Sequence, residues 1–331
     1  MIVLAVESSC DETSVSVSKD GKTILSNVVL SQIKTHASFG GVVPEIASRE
    51  HVKGISVVFE DALKMAHLKA NDIDLVAVTK GPGLIGSLLV GINAAKAFAF
   101  AHDIPIVGIH HIAGHIYANQ IENEMVFPLI ALVVSGGHTE LILMREHYLF
   151  EKLGETHDDA VGEAYDKIAR VLGLGYPGGP IIDEMAQKGK QSYPMPTIKT
   201  DAPYDFSYSG LKSHVINMIN RMNMKKEPIN KVDMATSFQT AAVKHLIDKS
   251  KQAVKDYNAK MLIVAGGVAA NSHLRQEVLH HFPDVKVSIP PFKYCTDNAA
   301  MMGIAGYYYY KRYKKTDAMS MNGYSRLSLN E

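Results

Sequence analysis

Cysteine and long apolar runs are both scarce in this sequence of 331 residues. Only Cys10 and Cys295 occur, which argues against a disulfide-stabilised secreted scaffold and favours a reducing compartment. No uninterrupted apolar stretch reaches membrane-spanning length, and the apolar start Met1–Val6 is too short for a signal peptide. We therefore expect a cytoplasmic protein without a membrane partner.

An excess of charge of one sign is also lacking. Lys+Arg and Asp+Glu number 34 each, and the formal net charge is zero. A nucleic-acid partner would therefore need a segregated basic face rather than net positive charge. The aromatic and basic cluster Tyr307–Lys315 is one candidate, and a helix end packed on a lobe is the alternative interpretation.

The length favours two lobes, because a single hydrophobic core stops growing at about 250–300 residues. Ile2–Val6, a polar turn and the alternating Ser14–Ser18 predict a strand, a turn and a second strand, and the same pattern returns in residues 129–144. This repeat predicts a duplicated architecture. We place an N-terminal lobe at residues 1–127 and a C-terminal lobe at residues 128–331.

Strands and helices alternate within the predicted lobes. The Ala-rich helix Leu88–His102 lies between predicted strands at Asp74–Thr79 and Ile104–Ile109, which predicts a mainly parallel α/β sheet. Residues 151–260 have mostly helical patterns and are interpreted as a helical insertion in the C-terminal lobe. Packing of the last helix against the N-terminal lobe is an alternative to its placement in the C-terminal lobe.

Glycine-containing turns follow three apolar strands, after Thr79, at Ser135–Thr139 and at Gly266–Gly267. Glycine lets the backbone approach a ligand closely, and amides at a following helix start favour anions. Three such turns favour nucleotide or phosphate binding over simple tight corners. None matches a P-loop or the dinucleotide-binding fingerprint.

His111 and His115 are four residues apart, so both imidazoles project from one helix face at a spacing used by metal ligands. Two satisfied polar residues are the alternative. Asp297 is the best candidate for a third ligand, and its alternative role is the N-cap of the following helix. A thermolysin-like peptidase is disfavoured, because the glutamate beside the first histidine is replaced by Ile112.

Asp166 and Asp183 flank a loop rich in glycine and proline. Acids placed in this way can hydrogen-bond ribose or other substrate hydroxyls. Solvated acids on a helix surface are the alternative.

These motifs together resemble one family along nearly the whole chain. The family is TsaD, the tRNA N6-adenosine threonylcarbamoyltransferases, also labelled glycoproteases. The motifs that carry the resemblance are ESSCDET at 7–13, GPGLIGSLLVG at 81–91, HHIAGH at 110–115, VSGGHTEL at 134–141, GEAYDKIARVLGLGYPGGP at 162–180, SYSGLKS at 207–213, GGVAANSHLR at 266–275 and CTDNAAM at 295–301.

The resemblance implies the two-lobed actin/Hsp70/sugar-kinase (ASKHA) α/β fold. It also implies an acyltransferase that moves the threonylcarbamoyl group from threonylcarbamoyl-AMP to N6 of the adenosine beside the anticodon. The tRNAs concerned read codons that begin with A, and the product is the modified nucleoside t6A. The expected partners are tRNA, a paralogous subunit of the same fold (TsaB-like) and a P-loop ATPase (TsaE-like).

The resemblance further implies the site residues. The metal ligands fall on His111, His115 and Asp297, and the mixed nitrogen and oxygen set suits one divalent ion per subunit, Fe(II) before Zn(II). The expected substrate contacts are Val134, Ser135, Gly136, Gly137, His138, Asp166, Gly179, Asp183 and Asn271. Asp11 and Glu12 match the acidic pair of the first loop.

The transfer reaction suggests a role for the acidic pair, because the attacking amine must lose a proton as its bond to the carbonyl carbon forms. We expect Asp11 or Glu12 to accept it as the catalytic base. Two other functions stay open from the sequence. The glycine turns alone fit a small-molecule kinase or ATPase of the same fold, and a non-catalytic assembly subunit would not need the histidine pair.

Overall fold

The structure is a computed structural model that describes residues 1–330. It divides into two compact units. Unit 1 comprises Met1–Met125, Glu146–Phe150 and the chain from Pro290 onward, and unit 2 comprises Val126–Arg145 and Glu151–Ile289. The boundary predicted between residues 127 and 128 differs from this division, because it assigns residues 146–150 and the chain from Pro290 onward to the C-terminal lobe.

Unit 1 is built on a five-stranded sheet of order β3-β2-β1-β4-β5, in which β1 is antiparallel to β2 and parallel to β4. Its elements, in chain order, are β1 (Ile2–Glu7), β2 (Glu12–Lys19), β3 (Thr23–Ser31), α1 (Ile33–Ala37), α2 (Pro44–Ala66), β4 (Leu75–Gly81), α3 (Ile85–Ala101), β5 (Ile106–His110), α4 (His111–Tyr117) and α10 (Ala299–Tyr313).

Unit 2 contains a second five-stranded sheet, of order β10-β9-β6-β7-β8. Its elements are β6 (Leu129–Val134), β7 (Thr139–Met144), β8 (Phe150–Glu155), α5 (Val161–Val171), α6 (Gly178–Ala186), α7 (Ser209–Lys225), α8 (Lys231–Asp256), β9 (Met261–Ala265), α9 (Ser272–His281) and β10 (Lys286–Ser288). Four helices lie between residues 151 and 260, as predicted, but β8 occupies the start of that segment and was missed.

The two sheets have the same strand order when the second is read from β8 to β10, so the duplicated architecture predicted from the sequence is confirmed. In each sheet the first strand pairs antiparallel with the second, β1 with β2 and β6 with β7. Two later strands then add in parallel on the other side of the first strand, β4 and β5 in unit 1 and β9 and β10 in unit 2.

Strand β1 is buried on both faces. Leu4 and Val6 belong to an apolar core with residues of α2 and α3, such as Ile55 and Leu88. The opposite face is covered by α10, where Gly303 lies close to Ala5. Because side chains alternate along a strand, this arrangement requires apolar or small residues at every position.

Helix α10 approaches the sheet so closely that two of its positions accept only glycine. A Cβ atom added at Gly303 would stand 2.7 Å from Ser18 Oγ, and one added at Gly306 would stand 2.6 Å from Ala77 Cβ. Ser14 Oγ accepts a hydrogen bond from the Ala299 amide at the start of α10 (2.9 Å). The small side chains of β2 therefore serve the contact with this helix.

The chain after α10 lies along β5 and the β4–α3 loop. The Asp317 amide donates to the Ile106 carbonyl (2.8 Å), and the Tyr324 amide donates to the Lys80 carbonyl (2.8 Å). The Asp317 carboxylate also accepts from the Gly108 amide (2.8 Å). Within residues 1–330, no helix is both long and apolar enough to cross a membrane.

We expect Gly306→Ala to destabilise the protein by about 1–3 kcal/mol, because the added methyl group overpacks the contact between α10 and Ala77. Gly210→Ala is the matched control, since this helical glycine has no atom within 4 Å of an added Cβ. Its substitution should be neutral or stabilise by up to about 1 kcal/mol. Thermal unfolding of both variants measures the difference, and equal melting temperatures would contradict the proposed close contact.

Candidate functional site

The candidate metal ligands come together in unit 1. His111 and His115 lie on α4, directly after β5, and Asp297 directly precedes the N-cap of α10. Asp297 Oδ1 is 3.1 Å from His115 Nε2 and 3.6 Å from His111 Nε2. The N-cap role is filled by Asn298, whose side chain accepts from the Met301 amide, so the alternative interpretation of Asp297 is wrong.

The donor set fits a divalent metal ion. One ligand atom from each of His111, His115 and Asp297 lies within 4.8 Å of the other two. Two imidazole nitrogens and one carboxylate oxygen suit a transition metal. Three protein ligands also leave a coordination position open, which is typical of catalytic rather than structural sites.

A buried carboxylate holds one of the two imidazoles in place. Glu7 ends β1 and is fully buried, and its Oε2 lies 3.3 Å from His111 Nδ1. The same oxygen accepts from the Thr79 hydroxyl (2.6 Å), and Oε1 accepts from the Ser9 amide (2.5 Å). A carboxylate on the far nitrogen of a metal-binding histidine fixes its tautomer and directs the other nitrogen to the metal.

Neighbouring charges shift the pKa values of Glu7 and His111 in opposite directions. Burial opposes the charge on Glu7, but the neighbouring His111 lowers its pKa below the usual value. Burial likewise opposes a charge on His111, yet Asp297 and Glu7 raise its pKa to about 9. Because a metal ion binds the unprotonated imidazole, this raised pKa acts against metal binding at low pH.

The acidic pair of the first loop also lies in unit 1. Glu12 begins β2, is 7% exposed and accepts from the Ser31 hydroxyl (3.1 Å), whereas Asp11 is half-buried. Burial and the negative charges of Asp297 and Asp11 raise the pKa of Glu12 to about 10. Asp11 is thus the more accessible of the two carboxyl groups.

His51 of α2 braces this loop. Its Nε2 is 2.9 Å from the Cys10 carbonyl and its Nδ1 is 2.7 Å from Thr13 Oγ1. A carbonyl only accepts, so Nε2 carries the hydrogen and Nδ1 accepts from the hydroxyl. Burial lowers the pKa of His51, which favours this neutral form.

The predicted glycine turn of unit 2 joins β6 to β7. Val134 ends β6, and the Ser135 hydroxyl accepts from the amides of Gly137 (3.3 Å) and His138 (3.0 Å). Gly136 and Gly137 are exposed, with no atom within 4 Å of an added Cβ. The turn is held by its own serine and leaves its glycines open to a ligand.

Asp166 has a structural role that its sequence context did not reveal. Its Oδ1 accepts from the Gly178 amide (2.7 Å), and its carboxylate also accepts from the Gly179 amide. It therefore caps the N-terminus of α6 from the neighbouring helix α5. Burial raises the pKa of Asp166, although the two amides act in the opposite direction.

Asp183 of α6 and Asn271, at the start of α9, are linked by hydrogen bonds through Ser272 of α9 and Gln239 of α8. Asp183 accepts from the amide and hydroxyl of Ser272, both at 2.9 Å. Asn271 is the N-cap of α9 and accepts from the Leu274 amide (2.9 Å). Both side chains also hydrogen-bond to Gln239 of α8. The structure thus assembles four predicted substrate residues in two pairs, Asp166 with Gly179 and Asp183 with Asn271.

Glu7 and Gln239 were missed by the sequence analysis, for one shared reason. Each makes its contacts with residues distant in sequence, His111 and Asp183 respectively. Glu7 had one local signal, an acid at the end of a buried strand beside the acidic loop. Gln239 had none.

Two sheets of identical order define an α/β protein of the actin/Hsp70/sugar-kinase class. Solved structures agree with this fold. Component A of (R)-2-hydroxyglutaryl-CoA dehydratase from Acidaminococcus fermentans has a TM-score of 0.56 at 15% identity, covering 94% of this chain and 100% of that chain. HypF from T. kodakarensis has a TM-score of 0.64 at 13% identity, covering 94% of this chain and 48% of that chain. At these identities the likeness concerns the fold alone.

Sequence comparison identifies the family within this class. Residues 23–304 match the TsaD family model, described as tRNA N6-adenosine threonylcarbamoyltransferase. A protein of that name from Staphylococcus saprophyticus is 57% identical over 333 residues, covering 100% of this chain and 97% of the relative. One from Staphylococcus aureus (strain JH9) is 56% identical, covering 100% and 98%. The chain belongs to the TsaD family of tRNA N6-adenosine threonylcarbamoyltransferases, as the motifs predicted.

We expect the purified protein to bind one divalent metal ion and His111→Ala or His115→Ala to lose it, because one of three protein ligands is removed. Glu7→Gln should weaken metal affinity by about 10–100-fold, since the imidazole loses its charged partner. Elemental analysis and competition with a chelator measure both effects.

His36→Gln is the matched control, because this buried histidine of unit 1 bonds Gln32 and the Val43 amide and has no place in the ligand group. It should retain wild-type metal affinity. Full metal content in both ligand variants would show that the ion binds elsewhere.

Proposed function

We propose that the chain transfers the threonylcarbamoyl group from threonylcarbamoyl-AMP to N6 of the adenosine beside the anticodon, in tRNAs that read codons beginning with A. The observation that carries this proposal is 57% identity, over the full chain, to a relative named for this transferase. The ligand group of His111, His115 and Asp297 supports it, because an acyl transfer to a weak nucleophile benefits from an activated carbonyl.

The chemistry is acyl transfer from a mixed carbamoyl–phosphate anhydride. The exocyclic nitrogen of adenine forms a bond to the carbamoyl carbon, and the bond from that carbon to the phosphate oxygen breaks. AMP leaves with the electron pair of the broken bond, and the nitrogen gives up one proton. Asp11 is the proposed acceptor of that proton, because it is the more accessible member of the acidic pair.

A divalent metal, Fe(II) in preference to Zn(II), would be held by His111, His115 and Asp297. When bound, it supplies a Lewis acid that polarises the carbonyl of the threonylcarbamoyl group. Glu7 keeps His111 oriented toward the ligand position, so that Nε2 of this imidazole faces Asp297 and His115.

The predicted residues of unit 2 are proposed to bind the adenylate. The exposed turn of Gly136 and Gly137 can accommodate its phosphate and stabilise the charge that develops on the leaving group. Asp183 and Asn271 are proposed to recognise the nucleoside, and Asp166 acts indirectly by holding the Gly179 backbone at the start of α6.

The comparisons give no support to the two other functions considered from the sequence, the kinase or ATPase and the non-catalytic assembly subunit. Product analysis separates them chemically, because a kinase would transfer a γ-phosphate. We further propose that the chain acts in the cytoplasm with a paralogous subunit of the same fold and a P-loop ATPase, the partners that the family resemblance implies.

The test is reconstitution of the chain with these two proteins, threonylcarbamoyl-AMP and unmodified tRNA. Nucleoside analysis should detect threonylcarbamoyladenosine with the wild-type protein. Asp11→Asn should bind threonylcarbamoyl-AMP as well or better, since a negative charge is removed, while single-turnover transfer falls by about 10²–10⁴-fold.

The absence of threonylcarbamoyladenosine with the wild-type protein would overturn the proposed function. Wild-type transfer by Asp11→Asn would instead exclude Asp11 as the base and favour Glu12. Loss of adenylate binding in Asp11→Asn would likewise remove the catalytic role and assign Asp11 to binding.

The basic cluster at the end of α10 is a candidate contact for tRNA. Lys311, Arg312 and Lys314 each lie over a tyrosine ring of the same helix, at 5.8, 5.5 and 5.3 Å. The two lysines are exposed, whereas the Arg312 side chain is 30% exposed and pairs with Glu146 (2.8 Å). Replacement of these three and Lys315 by Gln should weaken tRNA binding and reduce its dependence on salt. Unchanged affinity across a salt titration would leave the cluster only its structural role beside the tyrosines.

A further inference from the structure

Gln239 occupies a buried position in the middle of α8, where it is 2% exposed. Its Nε2 donates to Asp183 Oδ1 (3.0 Å), and its Oε1 accepts from Asn271 Nδ2 (2.8 Å). Oε1 also accepts from the Tyr165 hydroxyl (3.2 Å). One side chain therefore joins residues that lie on α5, on α6 and at the start of α9.

The chemistry of the partners settles the orientation of the Gln239 amide. An ionised carboxylate only accepts, so the NH₂ group must face Asp183 and the carbonyl oxygen must face Asn271. Both acceptor positions of Oε1 are then filled, by Asn271 and Tyr165. This arrangement permits one orientation and one spacing of Asp183 and Asn271.

Asp183 and Asn271 retain hydrogen-bonding capacity beyond these contacts. Asp183 accepts three hydrogen bonds, from Gln239 and from the amide and hydroxyl of Ser272, whereas a carboxylate can accept about four. Asn271 donates to Gln239, hydrogen-bonds the Tyr165 side chain and accepts from the Leu274 amide, which leaves a second lone pair on its amide oxygen. Each of the two side chains therefore keeps an acceptor position for a ribose hydroxyl.

We propose that Gln239 is a positioning residue for nucleoside recognition, which sets the geometry of Asp183 and Asn271 without touching the ligand. The inference rests on the proposed function, because it assumes that these two residues bind the ribose of the adenylate. Gln239 extends that assignment to a residue outside the motifs that carry the family resemblance.

The contacts distinguish positioning from a structural role. Without Gln239, Asp183 keeps both hydrogen bonds from Ser272, and Asn271 keeps its cap on the Leu274 amide. The fold therefore retains the local contacts that fix these elements. What is lost is the direct side-chain link from Asp183 through Gln239 to Asn271, whereas the backbone of the Asn271 segment stays attached to Asp183 through Ser272. Only a property sensitive to the orientation of the two side chains will register this loss.

The experiment uses the full chain with its metal and measures the dissociation constants of AMP and of 2′,3′-dideoxy-AMP by calorimetry. Gln239→Met, which is similar in volume but cannot hydrogen-bond, should bind AMP about tenfold more weakly. Its preference for AMP over the dideoxy nucleotide should fall toward unity, because the lost affinity belongs to the ribose hydroxyls. Metal content should stay at the wild-type level.

Two further variants of α8 make the result decisive. Ser250→Ala removes a buried hydroxyl that has no hydrogen-bond partner within residues 1–330, and it should keep wild-type affinity and selectivity. Gln239→Leu also removes both hydrogen-bonding groups but places a smaller apolar side chain at this buried position. It should show the same loss of selectivity and serves if the methionine variant does not fold.

Asp183→Asn separates failure of this inference from failure of the proposed binding role. If Asp183→Asn loses ribose selectivity while folded Gln239→Met or Gln239→Leu keeps it, Gln239 has no positioning role. If wild-type protein shows no ribose selectivity, or Asp183→Asn retains it, the proposed assignment of Asp183 is itself wrong. Loss of selectivity in the Asp183 and Gln239 variants, with Ser250→Ala unchanged, supports the inference.

Discussion

The ligand group of unit 1 depends on the burial of one carboxylate. Glu7 is completely inaccessible to water, and a buried charge costs several kcal/mol unless its oxygens are paired. Its partners come from three segments: the Ser9 amide, the Thr79 hydroxyl and the His111 imidazole. The ends of β1, β4 and β5 are therefore tied together at the point where α4 begins. An arrangement that satisfies Glu7 also orients the first imidazole of the ligand group.

The fold was predictable where periodicity reflects burial directly. Strands β1 and β6, with the turns and strands that follow them, were recovered, and so was their duplication. The alternating pattern of β2 gave the strand but not its surroundings, because Ser14, Ser16 and Ser18 are buried rather than solvated. A strand whose serines pack against a helix has the same alternating sequence pattern as a strand whose serines are exposed to water. Strand β8 was missed because FEKLGE is too polar to stand out as a strand at the start of a mostly helical segment.

The residues of the candidate site were likewise predictable only where a local sequence pattern marks them. The spacing of His111 and His115 is a local property of a helix, so the sequence revealed it. Asp297 was the best third candidate from its own sequence context, and the family resemblance supports it. Gln239 escaped notice because nothing in α8 distinguishes it from a solvated glutamine, and its meaning lies in partners on other helices. Asp166, which is expected to contact the substrate, also accepts from the amides that begin α6, a contact that its local sequence does not indicate.

The segment after α10 is held mainly through hydrogen bonds of its main chain, and such contacts depend little on the identity of its side chains. The Asp317 and Tyr324 amides bond to the backbone carbonyls of Ile106 and Lys80, and the Leu327 carbonyl lies 3.1 Å from His110 Nε2. Main-chain groups are common to nearly all residue types, so substitutions can accumulate in such a segment while its path is kept. Substitutions at Tyr324 or Leu327 should therefore leave the path of this segment unchanged, because each contributes a main-chain group to these contacts.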